Sequence, residues 1–352
     1  MLTPANGYSW SRLLHRSMIQ KDIAPAHGAI EHHSKIFFRS ALNQPTINYY
    51  FTNDISSPDE KVKGFYPFER PIPIRETSVL LPIGLVNAGH AQCQIIGYYN
   101  MLANNSSLGS CRLCVSSLVK TYMPFVYDLL VILFGEDRLT VLDNTATYFF
   151  PSVWLLQARY QLGMKKNSVI VKDYEWYQKI HLPRNPAEAY VEDPSCILNA
   201  ANAISKDPDN KWELYTKIIF VKTGNQSGRM NSPSRAMKLT PSVIELLVER
   251  GYKILSLGDF EDLRHCIATL HSAEKVITSW GNIATFNRFF YNTKARVVLL
   301  GNQSYSKEYQ VIPKDGFFPI AAFPVEEQFV VRDFPDSPKP AEVEKILALL
   351  EP

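Results

Sequence analysis

Between residues 217 and 300, short runs of β-branched and aliphatic residues alternate with amphipathic stretches, and this rhythm constrains the fold more than any other feature. Residues 217–221 (KIIFV) read as a strand. Thr240 then caps a helix that begins at Pro241 and stops at Gly251, because proline suits the first helical turn and glycine the residue past the last one. The next strand is 252–257, and Asp259 caps a helix in which Leu263, Ile267 and Leu270 recur at helical spacing. Two further strands, 275–278 and 296–300, flank Ser279-Trp280-Gly281-Asn282, which turns into a helix through Phe290. Buried strands joined by crossover helices specify a doubly wound α/β domain.

The same alternation recurs upstream. SVLLPIGL (78–85) is a buried strand, Asn87-Ala88-Gly89-His90 a turn, and 91–102 a helix. A strand at 112–118, a helix at 124–134 and a strand at 138–142 ending in Asp143-Asn144 follow. The first 75 residues carry no such period, and His27, His32 and His33 in HGAIEHHSK (27–35) read as a solvated loop rather than a metal set, which needs convergent geometry. Residues 160–212 are polar and broken by Pro183, Pro186, Pro194 and Pro208, with a helix near 194–204. The resulting expectation is an α/β domain over 1–207, a nucleotide-binding Rossmann-like domain over 208–338, and a helix within 339–352 that packs back on the first domain.

At 352 residues and 46% hydrophobic, the chain can bury two such cores. Its 37 Lys and Arg against 34 Asp and Glu are too balanced for a protein that neutralises a long run of phosphates, so nucleic acid is not the expected partner. Five cysteines spread over so long a chain do not form a disulfide framework, and Cys111 and Cys114 have CxxC spacing without a second pair to complete a zinc set. The first 25 residues lack the apolar core of a signal peptide, and the longest apolar run, 124–134, is interrupted by Asp128, so the expectation is a cytoplasmic chain with no membrane span.

Two segments that leave strand ends carry chemistry. KTGNQSGRMNSPSRAMK (222–238) holds Lys222, Arg229, Arg235 and Lys238 with no acid, and Thr223 with small residues between them, so backbone amides and guanidinium groups could converge on a diphosphate. In the second, Ser279, Trp280, Gly281 and Asn282 lead into a helix whose free amides would accept a phosphate, with Thr285 adding a hydroxyl. From neighbouring strands of one sheet the two turns would form a nucleotide-diphosphate site, although GxGxxG and the GxxxxGK[ST] phosphate loop are both absent. In the first half, His90 has the pKa range for proton transfer, and Asp143 is a second candidate base. Asp207-Pro208-Asp209 has the spelling of a metal-dependent sugar transferase but follows no strand, so no metal is expected.

In order and spacing, residues 75–302 resemble the catalytic domain of glycosyltransferase family 61. PFVYDLLVILFGEDRLTVLDNTATYFFPSVWL (124–155) is similar to the family's helix, "edR" turn and strands, FVKTGNQSGRMN (220–231) to its basic loop, and 245–290 to its closing block ending in "HGA.ltN..F". Here Ser279-Trp280-Gly281 stands where that family has His-Gly, and Lys222-Thr223 replaces Ser-Arg, leaving Arg229 or Arg235 as the family's arginine. His90 matches the family's amino-terminal histidine, with Gln94 in place of the acid four positions on.

The resemblance implies a GT-B architecture, two Rossmann-like domains facing a central cleft, with the nucleotide sugar held mainly by the second. It further implies a metal-independent inverting transfer, with no cofactor beyond the donor, from a UDP-linked sugar such as xylose or N-acetylglucosamine to a glycan or glycoprotein. His90 or Asp143 would deprotonate the acceptor, Asn87 and Gln94 would lie on the acceptor side, and the cations would stabilise the departing diphosphate. A non-catalytic nucleotide- or glycan-binding module and a nucleotide-sugar epimerase on the same architecture are the alternatives.

Overall fold

The computed structural model describes residues 28–32, 36–43, 46–52, 72–83, 88–143, 146, 148–150, 153–158, 162–165, 168–183, 185–221, 237–302 and 322–351. The chain divides into two compact units, Met1–Gln161 and Leu162–Pro352.

In the first unit the strands are β1 (Gly28–His32), β2 (Ile36–Asn43), β3 (Thr46–Thr52), β4 (Ile72–Pro73), β5 (Ser78–Leu80), β6 (Arg112–Ser116), β7 (Leu139–Leu142), β8 (Tyr148–Phe150) and β9 (Val153–Gln157), with helices α1 (Ala88–Ala103), α2 (Ser117–Tyr122) and α3 (Pro124–Phe134). One sheet has the order β1-β9-β5-β6-β7, in which β9, β5, β6 and β7 are parallel and β1 is antiparallel. A second sheet has the order β3-β2-β8-β4. The segment HGAIEHHSK, expected as a loop, therefore contributes β1, paired with β9 from Gly28↔Gln157 to His32↔Val153. Pairing with a distant strand supplied what no local period announced.

Val79, Leu113 and Val115 of the strands and Ile95, Ile96 and Leu129 of the helices form this unit's core. The strand expected over 112–118 stops at Ser116, whose hydroxyl accepts the Leu118 N–H at 3.2 Å and starts α2. Arg138 donates to the carbonyls of Leu108 (2.9 Å) and Cys111 (3.3 Å), so it ties the turn before β7 to the loop before β6.

The second unit comprises β10 (Ile170–Asp173), β11 (Tyr177–His181), α4 (Pro186–Ala189), α5 (Ser195–Ser205), β12 (Lys217–Phe220), α6 (Pro241–Glu249), β13 (Lys253–Leu255), α7 (Leu263–Ser272), β14 (Lys275–Ser279), α8 (Asn282–Asn287), β15 (Arg296–Asn302), β16 (Glu327–Phe334) and α9 (Pro340–Leu350). Its seven strands run in the order β10-β11-β16-β15-β14-β12-β13. The last five in that list are parallel, and β11 and β10 extend the sheet antiparallel beyond β16. Residues 162–207, expected with the first domain, thus belong to this unit; β10 and β11, of four and five residues with polar side chains among them, are too short and polar to stand out in that stretch.

Side chains alternate across the sheet. Ile219, Ile277, Val298, Phe329 and Val331 meet Val243 and Leu247 of α6 and Val343, Ile346, Leu347 and Leu350 of α9 in one core. Ile218, Phe220, Val276, Val297 and Leu299 are equally buried and face the other way, and α5 packs on α7. The terminal helix therefore docks within this unit rather than on the first. Only residues 335–339 join β16 to α9, and so short a connection returns a helix to its own sheet. Arg296 at the start of β15 secures the far end of α9 by donating to the carbonyls of Leu350 (2.6 Å) and Leu349 (3.1 Å), while its Nε meets Glu327.

Candidate functional site

Numbered along the chain, the five parallel strands of the second unit lie in the spatial order second, first, third, fourth, fifth. From β12 the chain moves outward to β13, then returns past β12 to β14. The carboxyl ends of β12 and β14, neighbours in register Phe220↔Thr278, therefore flank a topological switch point, the place where open α/β sheets take ligands. The two turns singled out from the sequence leave these two ends.

The turn after β12 is residues 222–236; these, with Lys222, Thr223, Arg229 and Arg235, lie outside the described residues. Its anchors are described. Val221 N–H donates to Leu255 O at 3.1 Å, and Lys238 N–H to Asp336 O at 2.8 Å, so the segment is tied to β13 at one end and to the residues after β16 at the other.

After β14 the backbone geometry is specific. Ser279 pairs with Leu300, Trp280 N–H donates to Leu300 O at 2.7 Å, and both side chains are buried. Gly281 has φ 144° and ψ −168°, a region essentially reserved for glycine. Among the described residues a Cβ at this position would meet nothing within 4 Å, so the backbone rather than crowding demands glycine. Thr285 N–H (3.1 Å) and Oγ1 (3.0 Å) both donate to Gly281 O, so the Thr285 hydroxyl proton closes the first turn of α8. Asn282 opens α8, and its side chain is not among those described.

On the first unit, His90 is the third residue of α1, half-buried, with the buried Gln94 one turn further on the same face. Asn87 lies outside the described residues. Asp143 follows β7, exposed, and its N–H donates to Tyr148 Oη at 2.7 Å. Burial pushes the Tyr148 phenol above its ordinary range, and the Asp143 carboxylate adds to that against its own backbone bond. Because β5, β6 and β7 are consecutive neighbours, the ends of β5 and β7 lie about 10 Å apart, and Asp143 directly follows β7.

None of the five cysteines is in a disulfide. Burial pushes the thiols of Cys114 and Cys196 up to about 12, which keeps them protonated and poor as nucleophiles or ligands. Among the described residues no group of three or more His, Cys, Asp and Glu could hold a metal ion. Asp207 accepts the Asp209 N–H at 3.1 Å within its own turn. No helix among the described residues is long and apolar enough to cross a membrane.

One rim residue has a different task from the one its sequence position suggests. Asp262, not Asp259, caps α7, by accepting the His265 N–H at 2.8 Å. Asp259 instead takes the Ser256 N–H (2.6 Å) and hydroxyl (2.8 Å) on Oδ2, at the carboxyl side of β13. The signal was legible as the Ser-x-x-Asp spacing of SLGD (256–259), a capping box.

No family model matches the chain, and no curated protein matches it. Among solved structures the chain is similar to a dodecameric iron-containing heptosyltransferase, TibC, in complex with ADP-D-β-D-heptose. The identity is 11%, the TM-score 0.27, and the match covers 82% of this chain and 77% of that one, a likeness too loose to carry an argument about fold or chemistry.

Proposed function

We propose that this chain is a glycosyltransferase of GT-B type whose second unit binds a nucleotide diphosphate sugar, UDP-linked, at the carboxyl ends of β12 and β14. The observation that carries the reading is the switch point itself: the basic 222–238 segment leaves one of its two strands and the Gly281 turn leaves the other. The resemblance of residues 75–302 to glycosyltransferase family 61 supports it from the sequence.

In this reading Lys222 and Arg229 or Arg235 neutralise the diphosphate, Thr223 adds a hydroxyl donor, and the peptide at Gly281 with the first amides of α8 receives its oxygens. Trp280, Ser279 and Thr285 hold that peptide in place through the β14 pairing and the Gly281 carbonyl. The first unit supplies acceptor activation. His90 takes the proton of the attacking hydroxyl, Asp143 being the other candidate in that unit, with Asn87 and Gln94 beside the acceptor glycan. Attack opposite the leaving diphosphate inverts the anomeric centre, and the protein's cations carry the charge that a divalent ion carries in metal-dependent transferases.

The test is binding by calorimetry and thermal shift with UDP, GDP, CMP and UDP-sugars, each with and without EDTA. The expected result is selective stabilisation by uridine nucleotides, unaffected by EDTA and reaching about 2.7 kcal/mol at a hundredfold excess over Kd. Arg229→Ala or Arg235→Ala should weaken UDP by about 1.5–3 kcal/mol, the worth of a charge-assisted hydrogen bond. No response to any nucleotide would refute the assignment.

A further inference from the structure

A second surface lies on the same end of the sheet as the carboxyl ends of β12 and β14. β11 runs antiparallel to β16 in register Tyr177↔Val331, so the tip of the β10–β11 hairpin, Tyr174-Glu175-Trp176, stands beside the carboxyl end of β16. It is three strands from β14, about 14 Å along the sheet.

The tip is aromatic and faces outward. Tyr177 meets Phe329 (6.0 Å between centroids) and Trp176 (4.8 Å, edge-on), and Trp176 and Tyr177 both pack on the core shared with α6 and α9. Tyr174 lies flat on Tyr177, with 4.6 Å between centroids and 12° between planes, yet is 45% exposed. One ring face is thus spent within the hairpin, and the exposed part of the side chain lies away from it.

Beside this ring β16 bulges. Leu300 pairs with Val331 and Asn302 with Phe334, so β16 carries one residue more than β15, and Asp333 takes up the excess at φ 49°, in the left-handed region. The Arg332 N–H donates to Trp176 O at 3.3 Å and its guanidinium pairs with Asp173, which ties the bulge to the hairpin. Asp173, Glu175 and Asp333 are exposed. Three carboxylates against one guanidinium give this surface the opposite sign to the 222–238 segment and disfavour phosphates and nucleic acid. A neutral sugar ring suits it, because the C–H face of the ring packs flat on an aromatic side chain while the hydroxyls around its edge donate to carboxylates.

Resting on the proposed transferase, we infer that the β10–β11 tip is a subsite for one sugar ring of the acceptor glycan, stacked on Tyr174 with Glu175 and Asp333 receiving its hydroxyls, away from the reacting end.

The experiment titrates the full chain with cellohexaose, xylohexaose and chitohexaose by calorimetry, and with UDP in parallel. At least one oligosaccharide should bind. Tyr174→Ala should weaken it about tenfold or more, whereas Tyr174→Phe, which keeps the ring and drops the hydroxyl, should bind as the wild type does. Asp333→Asn, which tolerates the left-handed backbone but loses the charge, should weaken it about threefold or more and serves if Tyr174→Ala disturbs the hairpin. UDP affinity should be unchanged in all three variants. A wild type that binds UDP but none of the oligosaccharides, or glycan affinity unchanged in both Tyr174→Ala and Asp333→Asn, would overturn the inference and leave the proposed function standing. A wild type that binds glycan through Tyr174 but takes no nucleotide would overturn the transferase, and with it the subsite's service to an acceptor.

Discussion

Gly281 offers the sharpest test of how the β14 turn is built. Its φ of 144° and ψ of −168° lie where an L residue is strained whatever room it has, and a Cβ would meet nothing within 4 Å, so the cost of a side chain here is a backbone cost alone. Such positions are worth on the order of 1–3 kcal/mol, which in a unit the size of Leu162–Pro352 lowers Tm by about 2–12 °C. The comparison site is Gly251, at φ 77° just past α6, also with nothing within 4 Å. That angle is the left-handed helical region, which asparagine tolerates. Gly251→Asn should therefore stay close to wild type, whereas Gly281→Asn should fare no better than Gly281→Ala. Urea titrations followed by tryptophan fluorescence would read the difference as a shift in midpoint at constant slope. Wild-type stability in Gly281→Ala and Gly281→Asn, or equal losses in the two asparagine variants, would refute the reasoning.

Two other outcomes follow from the packing and the charges of the second unit. Leu347→Ala, in the α9 face that shares a core with α6 and the sheet, should cost about 2–5 kcal/mol by thermal or urea unfolding; a loss under 1 kcal/mol would mean that α9 does not dock there. Burial pushes the Glu327 carboxyl up, yet Lys179 and Arg296 outweigh it and hold it below its ordinary range. A carboxyl depressed in the folded state contributes stability above its unfolded pKa, near 4.3, and loses it as the pH falls through its folded value. Glu327→Gln should thus flatten the acid limb of the stability profile below about pH 4.3 and lower stability near neutrality; an unchanged acid limb would show that the pairs contribute nothing.

Much of the second unit was legible in the sequence because its inner parallel strands are buried on both faces and so read as continuous apolar runs: KIIF and VITS fall where the structure has β12 and β14. Pro241 in the first turn and Gly251 at φ 77° bound α6 as local chemistry requires, whereas the Thr240 side chain makes no capping bond to the helix amides. Among the elements that escaped are strands whose partners are distant in the chain. The β1 strand owes its form to β9, and β11 owes its form to β16, with β10 pairing in turn on β11. In each case the hydrogen-bonding partner, not a local period, selects the strand.

The site divides along the same line. Sequence alone determined that a run of cations without an acid leaves one strand and that a Gly-Asn turn leaves another, because charge and glycine are local properties. Only the tertiary structure decided that β12 and β14 are neighbours at the switch point, since strand order depends on which way each crossover turns. It also decided that Asp259 turns back on Ser256 while Asp262 caps α7, a choice between two nearby acids that turn geometry makes and spacing leaves open. And it brought α9 onto the second unit's sheet, because five residues after β16 reach no further and the buried face of α6 had an apolar surface left to share.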